Sequence, residues 1–302
     1  MNVLQNKINE NGSKFSKSFL IGIDSDGCAF DTMELKHKEC FVPATIKYWN
    51  LQAVSKYARE TFEFVNLYSK TRGINRFPAL VETLRLLFLR PEVKARGLVQ
   101  PDLSPLQDWI SRETKLGNPA LIKEEQRGEN NPIIKQTLEW SLAINAAVDA
   151  IVGEGVPPFP FVRESLQKMQ SQADVIVVSA TPQDALEREW RNQNIDQYVA
   201  EIYGQEAGTK KEALEKAIKY GKFDKDNVLM VGDAPGDLKA AQAVNALFFP
   251  INPGAEDESW KQLYDEGIDK FFNHTFAGKY QTQLIENFNS YLPATPTWEK
   301  KS

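Results

Sequence analysis

The sequence holds only two cysteines and two histidines in 302 residues. Cys28 and Cys40 cannot form the disulfide framework that staples small secreted domains. His37 and Cys40 stand three apart, but the other histidine is the distant His274, so no zinc site is expected. Long apolar runs are also missing, with nothing approaching the ~18 residues of a membrane span. The first twenty residues, Met1 to Leu20, are largely polar and lack the apolar core of a secretory signal. A cytoplasmic protein without a membrane partner is therefore expected. Positive charge is not in excess either: 36 Lys and Arg against 41 Asp and Glu leave a net charge of −5. That balance argues against a basic nucleic-acid binder. The remaining composition, 42% hydrophobic and 25% charged, is that of an ordinary globular chain, and its length suggests about two domains.

The charge is unevenly spread. From Lys70 to Arg96 there are seven basic residues against Glu82 and Glu92, a local +5 inside an otherwise acidic protein. Such an island either holds an anionic ligand or lies on a solvated helix face.

Short apolar runs at 18–23, 175–178, 199–203, 228–231 and 246–251 read as buried strands. Helical patterns at 161–172, 182–193, 210–220 and 237–244 alternate with them. This alternation predicts an α/β fold, a Rossmann-like parallel sheet with helices on both faces. Ligands in such sheets bind beyond the carboxyl ends of the strands, which brings Asp24, Ser179 and Asp233 to one rim. Between the first two strands the pattern changes to helices near 34–48, 53–70, 78–89, 103–114 and 132–152. The expected organisation is a discontinuous core, 1–33 and 158–302, with an all-α cap domain at 34–157. Val156-Pro-Pro-Phe-Pro160 forms a stiff return linker, since proline forbids helix continuation. The tail after Pro293 reads as poorly ordered.

Four short segments carry chemistry. Asp24-Ser-Asp26-Gly27 places two carboxylates at the end of a buried strand, where they are costly unless paired, hydrogen-bonded or metal-bound. The alternative is a turn in which both aspartates cap backbone amides and Gly27 supplies a positive φ. Gly232-Asp233-Ala-Pro-Gly-Asp237 adds two more carboxylates at a strand-to-helix junction, although Asp237 could be a simple helix cap. Oxygen donors without a histidine favour Mg²⁺ over zinc. Ser179-Ala-Thr181-Pro182-Gln-Asp184 sets a hydroxyl at a strand end, with Thr181 and Asp184 spaced as a capping box. Thr209 and Glu212 form a second capping box, which makes Lys210 the first helical residue. Helical spacing turns Lys210 toward the apolar face of Ala213, Leu214 and Ala217, and Lys211 toward solvent.

These segments resemble, in order, the four motifs of the haloacid dehalogenase-like hydrolase superfamily, over about 60% of the chain. Asp24-Ser-Asp26-Gly-Cys-Ala-Phe-Asp31-Thr32 is similar to the family's first motif, with Cys28 in place of its usual Thr. Ser179 matches the second-motif hydroxyl, Lys210 the third-motif lysine, and Asp233 with Asp237 the fourth, acidic motif. The resemblance implies a phosphatase-type enzyme with a helical cap inserted after the first motif. By the same resemblance, Asp24 is the nucleophile and Asp26 the general acid and base. Asp24, the Asp26 carbonyl and Asp233 would hold Mg²⁺, Ser179 and Lys210 would hold phosphoryl oxygens, and Asp237 would fix Lys210 or a metal-bound water. A carboxylate at Asp26 separates phosphatases from the dehalogenases of the family. The substrate is then a small phosphorylated metabolite, and Lys70, Arg72 or Arg76 of the basic island is expected at its leaving group. Phosphonate hydrolysis, sugar-phosphate mutase chemistry and a non-catalytic binding module are the alternatives, and the oligomeric state stays open.

Overall fold

All five residues of β1 (Phe19–Ile23) are buried, which leaves this strand no solvent-facing side. The computed structural model describes residues 15–127, 131–153 and 155–301. The polar stretch 1–14 and residues 128–130, 154 and 302 lie outside the described residues, and with them part of the N-terminal reading above. The other strands are β2 (Ala173–Val178), β3 (Glu201–Tyr203), β4 (Val228–Gly232) and β5 (Leu247–Pro250). They form one sheet in the order β3-β2-β1-β4-β5. Every pairing is parallel, with Ile21 opposite both Val175 and Leu229. The expected Rossmann-like α/β fold is present.

Both sheet faces are dry. Ile21, Ile23, Val177, Val231 and Phe249 pack on one side with Trp190 and Trp260, while Leu20, Ile176, Val178 and Met230 meet Leu214 and Ala217 on the other. Continuous apolar strands rather than alternating ones follow from this double cover. Gly22 permits the second face to close. A Cβ there would lie 2.9 Å from a Leu214 methyl and 3.2 Å from the Met230 sulfur. The helix Lys210–Gly221 therefore settles directly on β1. Its first turn then points along the strand toward the carboxyl rim.

The contacts divide the chain into two units, residues 1–33 with 154–292, and residues 34–153 with 293–302. In the second unit, helices Val42–Tyr48, Ser55–Asn66, Arg76–Leu89, Ser104–Arg112, Asn118–Gln126 and Pro132–Val152 surround Phe62, Phe77, Trp109 and Trp140. Asn75 and Asn131 cap two of them by accepting from Phe77 N and Ile133 N, each at 3.0 Å. The expected helix at 34–48 is interrupted by a π-turn over Lys36–Phe41. His37, once considered beside Cys40, stacks on Phe41 with ring centroids 4.7 Å apart.

Two local expectations change. The tail after Pro293 is ordered against the helical unit, not loose. Trp298 meets the Phe64 ring edge-on at 5.4 Å and lies 4.5 Å from the Arg90 guanidinium. Arg90 also lies 4.7 Å from the Tyr57 ring and pairs with Glu60 at 2.8 Å. An aromatic side chain near the end of a polar tail supplies the apolar contact that composition alone did not promise. The second change concerns Thr181. The helix Gln183–Asn192 follows Pro182 without the expected Thr181 cap: its first N–H donates to Glu206 and the Thr181 hydroxyl is bonded elsewhere.

Candidate active site

The strands that meet at the rim are β2, β1 and β4, adjacent and parallel, so the residues after them emerge side by side. Asp24 continues β1 and donates its N–H to Val231 O at 3.0 Å. Ser179 continues β2 and is fixed to Tyr203 O at 3.0 Å. Asp233 follows β4 directly.

Asp24, Asp233 and Asp237 are all buried, and each offers an oxygen within 4.8 Å of the others. Lys210 bridges two of them, 2.7 Å from Asp24 Oδ2 and 2.5 Å from Asp237 Oδ1. Three carboxylates and one ammonium leave a net charge of about −2 in a low-dielectric site, which suits one divalent cation. Burial pushes the Asp24 carboxyl well above the usual range. Lys210 opposes that shift, while Asp237 and Asp233 reinforce it. Burial alone would lower the Lys210 ammonium, but Asp237 and Asp24 raise it above its ordinary value. Lys211 instead points to Glu215 at 3.5 Å, as the helical spacing predicts.

Asp237 is more than a helix cap. Its Oδ2 accepts from the backbone N–H of Asp233 at 3.1 Å and of Ala234 at 3.0 Å. It thus braces the strand-to-helix turn from inside while its other oxygen holds Lys210. Gly232 leaves the space for this: a Cβ there would lie 2.4–2.5 Å from the Asp237 side chain.

Asp26 lies apart from the three-carboxylate group. Its Oδ2 accepts from the Thr181 hydroxyl at 2.8 Å and its Oδ1 from the Thr32 hydroxyl. The turn that carries it is closed by Ala29 and Phe30 N–H bonds to Ser25 O, with Gly27 at φ 77°. The positive φ was read from the sequence; the two hydroxyl partners were not. Ser179 Oγ accepts from Thr181 N at 3.2 Å, which leaves its own proton free to donate. Cys28 is fully buried beneath the carboxylates, and burial together with Asp233 and Asp24 pushes its thiol pKa up. It is not a thiolate nucleophile.

Within the helical unit, Lys70 is exposed. Arg72 is buried and donates to Leu67 O at 2.9 Å. Arg76 donates to Ser141 Oγ at 3.0 Å and Asn145 Oδ1 at 2.7 Å. Two of the three basic residues singled out from the sequence thus have partners inside their own unit.

The parallel sheet, the acidic rim and the bridging lysine together define a Rossmann-like core with a charged site at its carboxyl edge. Residues 123–250 match the model of the haloacid dehalogenase-like hydrolase family, a span that includes Ser179, Lys210, Asp233 and Asp237 but not Asp24. Over that span, less than half of the chain, the sequence is similar to this family. Among solved structures, the fold is similar to a β-phosphoglucomutase from Clostridium difficile (14% identity, 87% of this chain and 100% of that one, TM-score 0.52). Weaker likenesses include a haloacid dehalogenase-like family protein from Streptococcus pneumoniae (13%, 80% and 90%, TM-score 0.42). CbbY from Rhodobacter sphaeroides in complex with phosphate is comparable (15%, 79% and 87%, TM-score 0.42). No curated protein matches the chain. Among the described residues, no helix is long and apolar enough to cross a membrane.

Proposed function

We propose that the protein is a Mg²⁺-dependent phosphate-monoester hydrolase that acts on a small phosphorylated metabolite through an aspartyl-phosphate on Asp24. The observation that carries this reading is Lys210 bridging Asp24 and Asp237 beside Asp233. An all-oxygen donor set with a net charge near −2 fits Mg²⁺, which Asp24, Asp233 and Asp237 with the Asp26 carbonyl would hold. When bound, the cation would offset the repulsion between the Asp24 carboxylate and an anionic phosphoryl group.

The chain's own residues do the rest. An Asp24 oxygen attacks phosphorus while the phosphorus–oxygen bond to the leaving group breaks. The leaving oxygen takes a proton from the Asp26 carboxyl. Water then gives a proton to the Asp26 carboxylate as its oxygen attacks the same phosphorus. The bond to Asp24 breaks, which releases phosphate and restores both residues. The free Ser179 hydroxyl and the third N–H of Lys210 supply donors for the phosphoryl oxygens, where negative charge develops. Lys70, Arg72 or Arg76 is proposed to meet the anionic remainder of the substrate, and single alanine variants test this by a rise in KM.

The experiment is phosphate release over a panel of phosphorylated metabolites with and without Mg²⁺, run beside Asp24→Asn. Turnover that needs Mg²⁺ and disappears in the variant supports the reading. Robust turnover by Asp24→Asn removes Asp24 as nucleophile. Isomerised sugar phosphate without released phosphate would instead indicate a mutase. Phosphonate hydrolysis through a lysine Schiff base would be detected by borohydride trapping.

A further inference from the structure

Asp26 is held at both carboxyl oxygens by hydroxyls from two different segments. Thr32 opens the short helix Thr32–Leu35 that follows the Asp26 turn. Thr181 reaches Asp26 from the segment after β2, 155 residues later in the chain. The two bonds have different local origins. Thr32 belongs to the Asp26 turn and moves with it, whereas Thr181 is anchored independently. Its N–H donates to Ser179 Oγ at 3.2 Å, and its carbonyl accepts from Gln205 N at 2.9 Å. Gly204 keeps this contact tight, since a Cβ there would lie 2.7 Å from the Gln183 backbone and 2.9 Å from Thr181 O.

The local sequence offered the Thr181 hydroxyl another use. A threonine just before a helix ordinarily caps its free N–H groups. Here the Gln183 N–H at the start of helix Gln183–Asn192 donates to the Glu206 carboxylate at 2.9 Å, and the Thr181 hydroxyl is directed to Asp26 instead. Thr181 thereby links the rim residue Ser179 to the Asp26 carboxyl.

We propose that Thr181 is a positioning residue for Asp26, fixing the plane in which this carboxyl delivers its proton to the leaving oxygen. The proposal rests on the phosphatase reading above. The torsion that turns an aspartate carboxyl has a broad, shallow preference, so its plane is set by the bonds its two oxygens accept. The Thr181 bond holds one oxygen from outside the turn that carries Asp26. A carboxyl oxygen has two lone-pair directions, so a carboxyl can carry a proton and still accept from hydroxyls. Proton transfer needs heavy atoms within ~2.6–3.2 Å, which makes the step sensitive to this orientation. In the transfer, the proton leaves an Asp26 oxygen for the leaving oxygen as the phosphorus–oxygen bond breaks, and Asp26 becomes the carboxylate that both threonine hydroxyls stabilise.

The test compares phenyl phosphate with 4-nitrophenyl phosphate, aryl esters that differ by one para nitro group and in their need for leaving-group protonation. The parameter is kcat/KM in Mg²⁺, which covers steps up to bond cleavage and excludes hydrolysis of the aspartyl-phosphate. Thr181→Val is expected to lower kcat/KM for phenyl phosphate at least about tenfold while 4-nitrophenyl phosphate stays within about threefold. Thr181→Ser, which keeps the hydroxyl, should recover the phenyl phosphate rate. In an Asp26→Asn background, Thr181→Val should add no further selectivity, because the two act as one unit. Equal loss on both esters, no loss on either, or full additivity with Asp26→Asn overturns the role while leaving the phosphatase reading intact. Thr181→Ala serves in place of Thr181→Val if the latter does not fold. A wild-type protein that releases phosphate from neither ester and from no member of the metabolite panel overturns the phosphatase reading and this role with it.

Discussion

Gly232→Ala probes how the rim is built without requiring a known substrate. The added Cβ would lie 2.4 Å from Asp237 Cβ and 2.5 Å from its Cγ and Oδ2. Ordinary carbon contacts are about 3.5–4.0 Å, so the overlap exceeds about 1 Å. Asp237 is fully buried and cannot escape into solvent. Relief requires either a tilt of the helix Pro235–Ala243 or movement of the carboxylate off Asp233 N and Ala234 N. Hydrogen bonds to a charged group are worth about 1.5–3 kcal/mol each, and overpacking itself costs about 1–3 kcal/mol. Loss of glycine from the unfolded chain returns about 0.4–1 kcal/mol. The expected net destabilisation is about 2–4 kcal/mol, with weaker Mg²⁺ binding because Asp237 also holds Lys210. Urea unfolding measures the first effect and titration calorimetry the second. Stability within about 0.5 kcal/mol of wild type together with unchanged Mg²⁺ affinity would refute the claim that Gly232 exists to admit Asp237.

Magnesium should raise the thermal unfolding midpoint of the wild type, by the equivalent of about 2.7 kcal/mol at one hundred times its dissociation constant. Asp233→Asn should abolish most of that shift in the same calorimetric scan. Trp298→Ala should destabilise the helical unit by about 1–3 kcal/mol, since it removes the edge contact with Phe64 and the stack on Arg90. Chemical unfolding resolves the loss, and deletion of 294–302 should match it if Trp298 is the main anchor of the tail. Glu34 predicts a pH dependence. Burial opposes ionisation there, but bonds from Lys38 and Tyr68 hold its carboxyl below the usual range. A depressed carboxylate contributes stability above its unfolded value and loses it as pH falls through the folded one. Glu34→Gln should therefore cost stability at pH 7, and its deficit should close as the pH drops below about 4. A deficit that stays constant over that range would contradict the assigned cause.

The parts of the fold that were legible share a physical origin. Buried parallel strands are short apolar runs, and β1, β2 and β4 announce themselves because neither face meets water. Lys210 was placed inward by helical spacing alone, and the capping box of Thr209 and Glu212 fixed where its helix starts. Local competition decided the failures. Thr181 matched a capping pattern, but a partner 155 residues away took its hydroxyl, and no local pattern encodes that distance. The helix Asn118–Gln126 went unread because Leu121 is its only buried residue and one apolar contact makes no period. The segment after β5 went unread for another reason: the helix Glu256–Gln262 runs into a π-turn at Leu263–Gly267, which shifts the apolar spacing. Trp298 lies in a polar tail and packs as a single aromatic on a distant helix.

The central claim is that Asp24 carries the phosphoryl group, and trapping that bond tests it most directly. Wild-type protein mixed with a turned-over phosphate ester and Mg²⁺, quenched in acid during turnover and reduced with borohydride, should yield a peptide with homoserine at position 24. Asp24→Asn and substrate-free protein should yield none. An unmodified Asp24 peptide during demonstrated turnover, or reduction at another carboxylate, would contradict the account.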